Sequence, residues 1–235
     1  MNTGSRTGAQ IPLAISLGDK AEFDNFLVGE NSELVTAIKS SIGGSDPQLL
    51  YMYGPTGVGK SHLLYAAMRL AQQRSINTSY LSFRDERAEP DLLLALNTSS
   101  LICLDDVHCW AGNEDYERSL FAVFEQSKYD GGHLLLSACQ PPQKCGFVLQ
   151  DLVSRLSSGL MYPLLELSPT QQYEAIKLRA RIRGLKISDE TVKYLLSRTS
   201  RDTSELFSTL DEIDQASLIE KRRITIPFLK KVLKI

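Results

Sequence analysis

The stretch GPTGVGKS at residues 54–61 decides the fold class of this 235-residue chain. It matches the phosphate-binding loop pattern G-x-x-x-x-G-K-[ST] at every position. The apolar run LLYMY at residues 49–53 precedes it and predicts a buried strand, while residues 60–74 have the pattern of a helix. The sequence therefore predicts a strand, a glycine-rich loop and a helix in direct succession.

The residue types in this loop suit the chemistry of a nucleotide phosphate chain. Glycines let backbone N–H groups close around phosphates, and the N-terminus of the following helix favours an anion. Lys60 is expected to neutralise the β and γ phosphates, and the Ser61 hydroxyl is expected to ligate Mg²⁺. The residues here that we predict to bind ADP or ATP are Pro55, Thr56, Gly57, Val58, Gly59, Lys60 and Ser61, with His62 packed beside them.

A second segment, LICLDD at residues 101–106, supplies two carboxylates after an apolar run. Asp105, at the end of a predicted buried strand, is expected to hold Mg²⁺ through water. Asp106 is placed to orient or deprotonate an attacking water, which is a catalytic role. An Asp-Asp turn can follow any apolar strand, but its combination with a complete phosphate-binding loop favours a nucleotide site.

Strand and helix patterns alternate through the first 168 residues, which implies a parallel sheet covered by helices on both faces. The further strands are predicted at 78–83, 101–105 and 133–138, and the further helices at 31–42 and 114–129. After Ser168-Pro169 only helical patterns remain, at 170–183, 188–199, 203–222 and 226–234. The expected class is α/β, with a flexible tail at 1–20, a base domain at 21–168 and a small all-helical domain, the lid, at 169–235.

Composition and charge exclude several classes of protein. The net charge of −2 argues against electrostatic attachment of the whole chain to nucleic acid or to an anionic membrane. Residues 1–168 carry 12 basic and 19 acidic residues, a net of −7, and residues 169–235 carry 14 and 9, a net of +5. No apolar run reaches the ~18 residues of a membrane span, and the N-terminus lacks the apolar centre of a signal peptide. The four cysteines have no disulfide or zinc spacing, so we expect a cytoplasmic protein.

Two further positions follow from the predicted topology. The strand at 133–138 ends in polar residues, beginning with Ser137, that can reach the γ-phosphate or the attacking water. Arg155 lies further along the chain on a short predicted helix. A surface arginine is as often solvated or salt-bridged as functional, and the residue pattern leaves both readings of Arg155 open.

Together these residues resemble the AAA+ ATPases of the DnaA initiator clade over roughly residues 21–235. The matching segments are EFDNF at 22–26, GPTGVGKSHLLYAA at 54–67, LICLDDVHCWAG at 101–112 and DLVSRLSSG at 151–159. The resemblance implies an AAA+ base domain with a helical lid. It adds Phe26 to the nucleotide-binding residues and makes Arg155 an arginine finger, a catalytic residue that acts on a neighbouring molecule's ATP.

The resemblance also implies partners. Initiators of the clade continue into a helix-turn-helix domain, and no segment here has that pattern, so we expect no sequence-specific DNA binding. The chain is thus similar to the DnaA-homologous regulators that dock on the DNA polymerase sliding clamp and inactivate the initiator DnaA. Their clamp-binding peptide has the general form Gln-Leu-x-Leu-Pro-Leu, and the candidate here consists of Gln10, Ile11, Leu13 and Ile15. No membrane contact is implied, and self-association into a homodimer stays open.

The sequence departs from the clade in the lid. The clade has an arginine early in the third lid helix that reaches the nucleotide, whereas Ser204 stands there in this chain, with Arg201 one turn earlier. This change weakens the expected hydrolysis more than the expected binding, because the loop at 54–61 supplies most ground-state contacts. The basic residues at 177–186 are spread around their helix, so we expect a solvated face more than a nucleic-acid contact.

Three functions remain open at the level of sequence. The first is a regulator that binds ADP or ATP with Mg²⁺ and promotes hydrolysis on DnaA, with weak hydrolysis of its own. The second is a helicase-loader-like AAA+ ATPase that acts by its own hydrolysis, which strong intrinsic turnover would reveal. The third is a small-molecule or nucleoside kinase, which the helical lid and the Asp105-Asp106 pair disfavour.

Overall fold

The computed structural model describes residues 21–44, 49–85, 87–199, 203–220 and 222–234. The strands found there are β1 (Leu49–Tyr53), β2 (Thr78–Ser82), β3 (Leu101–Asp105), β4 (His133–Ala138) and β5 (Leu160–Pro163). The helices that accompany them are α1 (Ser32–Ser41), α2 (Lys60–Gln73), α3 (Pro90–Leu94), α4 (Glu114–Asp130) and α5 (Gln150–Ser157). The helices of the lid are α6 (Pro169–Ile182), α7 (Asp189–Arg198), α8 (Thr203–Glu220) and α9 (Ile226–Leu233).

The strands form one parallel sheet in the order β2-β3-β4-β1-β5, which confirms the predicted α/β class. Because every strand runs the same way, all carboxyl ends lie at one edge. The order places β4 between β3 and β1, so Ser137 lies between Asp105 at the end of β3 and the loop that follows β1. The sheet thereby brings Asp105 together with Ser61, 44 residues earlier, and with Ser137, 32 residues later in the chain.

Apolar side chains cover the sheet on both faces, as a doubly covered parallel sheet requires. On one face Leu50 and Met52 of β1 pack with α1 and α2. On the other face Tyr51 of β1 packs with α3, α4 and α5. Alternation of neighbouring strand residues between the two faces follows from the two-residue period of a strand. The rigid layer formed in this way holds the loops at its carboxyl edge in place.

Local sequence explains where the main helices begin and end. Asn113 caps α4 by accepting the backbone N–H of Asp115 at 3.2 Å, and α4 stops at Gly131, whose φ of +75° suits glycine. Ser168 begins α6 with a reciprocal pair, since its hydroxyl accepts the Gln171 N–H while the Gln171 side chain accepts the Ser168 N–H at 2.8 Å. The lid helices therefore start directly after the last strand segment.

The lid has an apolar core of its own, formed by all four of its helices. Its fully buried side chains include Ile176, Leu195, Leu210 and Leu229, which come from four different helices. The link between sheet and lid is held by Asn31, whose side-chain amide donates to Leu165 O at 3.1 Å and accepts the Leu165 N–H at 2.8 Å. Asn31 is itself buried, so the chain segment that enters the lid is fixed to the start of α1.

Candidate nucleotide-binding site

The loop at residues 54–61 joins β1 to α2 and needs glycine for its shape. Gly57 and Gly59 have φ values of +80° and +107°, a region that other residues rarely adopt. A Cβ atom at Gly59 would lie 2.9 Å from Cε2 of Phe26, and one at Gly54 would lie 2.5 Å from Leu164 O. The glycines therefore let the loop turn tightly and approach both neighbouring segments.

Lys60 is the buried cation of the site. Its ammonium group donates to Gly54 O at 2.8 Å and to Pro55 O at 2.7 Å, and the residue is 6% exposed. Burial lowers the pKa of Lys60, while the nearby charges of Asp106 and Asp105 act in the opposite direction. Because its partners are loop carbonyls, this buried ammonium can exchange them for the oxygens of an anion held by the same loop.

Asp105 connects the loop to the neighbouring strands. Its Oδ2 accepts the Ser61 hydroxyl at 2.5 Å and the Tyr80 hydroxyl at 2.9 Å, and its Oδ1 accepts the Ser137 hydroxyl. Burial and the charge of Asp105 raise the pKa of Tyr80, so this phenol remains a donor. The structure thus brings the two predicted metal-holding residues, Ser61 and Asp105, into direct contact.

Ser137 lies where the strand topology suggested, but it does not have the suggested contact. We expected a polar side chain at the end of β4 to face the γ-phosphate or the attacking water. Ser137 is instead fully buried, donates to Asp105 and accepts the Asp106 N–H at 2.9 Å. It holds the carboxylate of Asp105 and the backbone of Asp106, because β4 lies next to β3 in the sheet.

Asp106 points toward the same edge of the sheet and is held by Arg84, a residue that sequence patterns did not single out. Arg84 Nε donates to Asp106 Oδ2. This hydrogen bond and the negative charge of Asp106 raise the pKa of Arg84. Asp106 Oδ1 lies 3.9 Å from His108 Nδ1 and accepts no hydrogen bond from the described residues. Burial lowers the pKa of His108. One carboxylate oxygen of Asp106 is therefore buried without a hydrogen-bond partner among the described residues, and the other is bound by arginine.

The position of Arg84 could have been suspected from the chain alone. It lies two residues after β2, at the carboxyl edge where ligands of parallel sheets bind. What the sequence lacked was the strand order, which makes β2 the direct neighbour of β3 and so places Arg84 beside Asp106.

A cavity of about 450 Å³ lies between this loop, the segment 25–31 and the lid. From the base it is lined by residues 56–62 with Phe26, Arg84 and Asp106, and from the lid by Ala175, Arg179, Phe207 and Asp211. The rings of Phe26 and His62 lie 5.6 Å apart at its rim, and His62 Nε2 lies 3.0 Å from Glu22 O. The structure therefore places Phe26 and His62 at the cavity, as it does Thr56 through Ser61.

The residues present fit a nucleotide with Mg²⁺. The glycine loop leaves room for phosphates, Lys60 provides a cation, and Asp106 Oδ1 is buried with an unused acceptor. Ser61 and Asp105 would hold the metal ion, which usually keeps several waters and needs few protein ligands. Among the described residues there is no group of three or more His, Cys, Asp and Glu side chains that could hold a metal ion alone.

Arg155 lies on α5 and does not line this cavity. Its side chain is 45% exposed, and its Nε lies 2.8 Å from Glu125 Oε1 on α4. The four predicted clamp-binding residues, Gln10, Ile11, Leu13 and Ile15, lie outside the described residues. Ser204 is the second residue of α8, and its side chain also lies outside what the structure describes.

Three of the basic residues at 177–186 form ion pairs within the lid. Lys177 lies 2.6 Å from Asp189, and Arg183 lies 2.7 Å from Asp211. Arg179 lies 3.4 Å from Asp211 as well, with its guanidinium over the ring of Phe207 at 4.6 Å. Lys177, Arg179 and Arg183 thus pair with acidic residues of α7 and α8. In the part of the chain that the structure describes, no helix is long and apolar enough to cross a membrane.

Comparison with known proteins gives two family models that match consecutive parts of the chain. The model of the bacterial DnaA ATPase domain matches residues 17–163, and the model named "Hda, lid domain" matches residues 170–233. The two matches together span both the sheet and the lid.

Solved structures of replication initiators have the same architecture. The crystal structure of a DNA replication initiation factor aligns with a TM-score of 0.70 at 26% identity, over 86% of this chain and 67% of that one. AMPPCP-bound DnaA from Aquifex aeolicus aligns with a TM-score of 0.69 at 26% identity, over 85% and 67%. Domain III of the Thermotoga maritima initiation protein DnaA, at 18% identity, has a TM-score of 0.79 over 92% and 96%, which shows the shared fold.

Proposed function

The chain belongs to the family of bacterial DnaA ATPase domains, an AAA+ family, and from this membership we propose that it is a nucleotide-dependent regulator of the initiator DnaA. In this proposal it binds ADP or ATP with Mg²⁺, docks on the DNA sliding clamp and stimulates ATP hydrolysis by DnaA. Conversion of DnaA to its ADP form would then prevent a second round of initiation.

The geometry of the cavity supports nucleotide binding. Lys60, the loop N–H groups and the pair Ser61 and Asp105 are arranged for phosphates and a metal ion. A relative of known structure, DnaA from Aquifex aeolicus, has been solved with the ATP analogue AMPPCP, and it is 26% identical to this chain over the aligned residues. Residues Phe26 and Pro55 to His62 would form the binding surface, with Lys60 on the phosphates.

The observation that carries the regulatory proposal is the position of Arg155. It lies on a short surface helix, half-exposed, and away from the protein's own nucleotide cavity. An arginine in that place can serve the ATP of a second molecule, where it offsets the charge that develops on the γ-phosphate. Arginines supplied in trans accelerate phosphoryl transfer by about 10³–10⁵ in other nucleotidases.

Weak hydrolysis at the protein's own site is the other half of the proposal. Asp106, which would orient or deprotonate water, is bound by Arg84 in the structure. The lid position where the clade has an arginine is Ser204. Both features lower transition-state stabilisation more than ground-state binding, so the bound nucleotide would act as a structural cofactor.

The test compares Arg155→Ala with Arg118→Ala in release of phosphate from ATP preloaded on DnaA, in the presence of clamp-loaded DNA. Arg118 is the matched control, since it is an exposed arginine paired with a glutamate, Glu114, on the adjacent helix α4. We expect the Arg155 variant to bind nucleotide and clamp normally but to lose stimulation, while the Arg118 variant keeps it. Full stimulation by Arg155→Ala would contradict the proposal.

Clamp docking is tested separately. Gln10→Ala combined with Leu13→Ala should abolish retention on immobilised clamp without lowering nucleotide affinity or thermal stability, since the peptide is expected outside the folded core. Equal retention of variant and wild type would remove the clamp from the proposal. Strong intrinsic turnover in the same preparations would instead favour the helicase-loader-like ATPase, for which the complete set of Lys60, Asp105 and Asp106 is the supporting observation.

A further inference from the structure

We propose that Arg179, on the first helix of the lid, binds the phosphate chain of the nucleotide and so makes the lid sensitive to occupation of the cavity. This inference rests on nucleotide binding in that cavity, which is part of the proposed function. It concerns a residue on α6, not on α8, where the sequence comparison with the clade places the lid's arginine.

Positive charge around the cavity comes from both the base and the lid. Among the described residues, the lysine and arginine side chains that line it are Lys60, Arg84 and Arg179. Lys60 and Arg84 belong to the base, and Arg84 is bound to Asp106. Arg179 is the cation that the lid contributes, and it lines the same cavity as the loop of residues 56–62.

The guanidinium of Arg179 is held by an aromatic ring. It stacks over the ring of Phe207 at 4.6 Å, and its side chain is about one-fifth exposed. A planar guanidinium that is stacked in this way keeps its donors in a fixed plane, which suits bidentate binding of phosphate oxygens. Because its rotamer is restricted before the ligand arrives, less conformational entropy is lost on binding.

Binding of a phosphate by Arg179 would also affect its partner Asp211. Asp211 also lines the cavity, and it is shared between Arg179 at 3.4 Å and Arg183 at 2.7 Å. Arg183 is more buried than Arg179 and does not line the cavity, so it stays with Asp211. The exchange therefore leaves no uncompensated carboxylate near the phosphates, which would otherwise be costly.

The start of α8, where the clade has its lid arginine, supplies no cation in this chain. Residue 204 is serine, which carries no charge, so the position at the start of α8 cannot neutralise a phosphate. Phe207 and Ser208, one turn further along α8, line the cavity without adding charge. Arg179 on α6 is thus placed to perform the electrostatic part of the lid's contact.

The experiment measures ADP affinity of the full-length protein by displacement of a fluorescent ADP analogue. We expect Arg179→Ala to weaken ADP binding about tenfold, the effect of losing one charge-assisted contact. Arg179→Lys should remain within about threefold of wild type because it keeps the charge. Arg181→Ala is the matched control on the same helix, where the side chain is exposed, and it should leave the affinity unchanged.

The melting temperature of each variant, with and without ADP, separates loss of contact from loss of fold. We expect Arg179→Ala to melt near wild type without ADP and to gain less from saturating ADP. Wild-type affinity in Arg179→Ala, or an equal loss in Arg179→Lys and Arg179→Ala, would overturn the inference while leaving the proposed function intact. Absence of ADP binding by the wild-type protein would instead overturn nucleotide binding itself.

Discussion

Glu117 on α4 is a buried carboxylate whose removal should destabilise the base strongly. It is 1% exposed, and its two oxygens accept the backbone N–H groups of Gly112 at 2.8 Å, Val148 at 3.0 and 3.1 Å, and Leu149 at 2.7 Å. In the described part of the chain no cation is paired with it. Glu117 therefore stabilises two loops at once, including the one that leads directly into α5 and Arg155.

The size of the effect follows from these three donors. Glu117→Ala leaves all three N–H groups without a partner, at about 1 kcal/mol or more for each, so we expect a loss of about 3 kcal/mol in the free energy of unfolding. For a chain of this length that corresponds to a decrease of about 6–12 °C in melting temperature. Glu117→Gln keeps one acceptor oxygen and should lose about half as much.

Thermal and urea unfolding followed by circular dichroism measure this loss. Glu114→Ala is the matched control, because Glu114 lies one turn earlier on α4 in an exposed pair with Arg118, which contributes less than about 1 kcal/mol. We also expect Glu117→Gln to reduce stimulation of DnaA more than it reduces ADP affinity, since α5 is displaced and the cavity is not. Equal melting temperatures for the Glu117 and Glu114 variants would refute the reasoning.

Three other substitutions test the cavity. Lys60→Ala should abolish tight nucleotide binding in calorimetry, because the phosphates lose their buried cation; unchanged affinity would contradict this. Arg84→Ala should raise intrinsic ATP turnover severalfold by releasing Asp106, and a lower turnover at equal affinity would show that Arg84 assists the reaction instead. Gly59→Ala should weaken nucleotide binding and lower the melting temperature, since the φ of Gly59 is +107° and a Cβ atom there would meet Phe26. Gly112→Ala is the control: a Cβ atom there would meet no other atom within 4 Å, and we expect nucleotide affinity to be kept.

The parts of the fold that the sequence predicted are those that local patterns encode. The loop at 54–61 follows β1 and begins α2 as expected, and the predicted strands at 101–105 and 133–138 have the bounds of β3 and β4. The lid helices begin and end within two residues of the prediction, because Ser168 and Thr225 cap α6 and α9. Proximity of Ser61 and Asp105 also follows, since parallel strands end at one edge.

The parts that could not be predicted depend on strand order and on packing between distant segments. Arg84 reaches Asp106 only because β2 and β3 are neighbours, and nothing in the residues around Arg84 indicates that pairing. Glu117 resembles any other acidic residue of α4 until its contacts with Val148 and Leu149 are seen. Arg179 belongs to a run of basic residues whose spacing favoured a solvated face, and only the packing of the lid places it at the cavity.

The bidentate amide contact of Asn31 with Leu165 determines where the molecule can bend. The Leu164 N–H donates to Tyr53 O at 2.7 Å, and the side chain of Asn31 binds both the N–H and the carbonyl oxygen of Leu165. Ser168 is held by the hydrogen bonds that cap α6. Only Glu166 and Leu167 lie between these anchors, so a rotation of the lid relative to the sheet would have to occur at these two residues. A connection of two residues permits rotation about few axes, so such a movement of the lid would follow a restricted path. Asn31→Ala would remove both hydrogen bonds to Leu165, so the segment able to rotate would become longer and its movement less restricted.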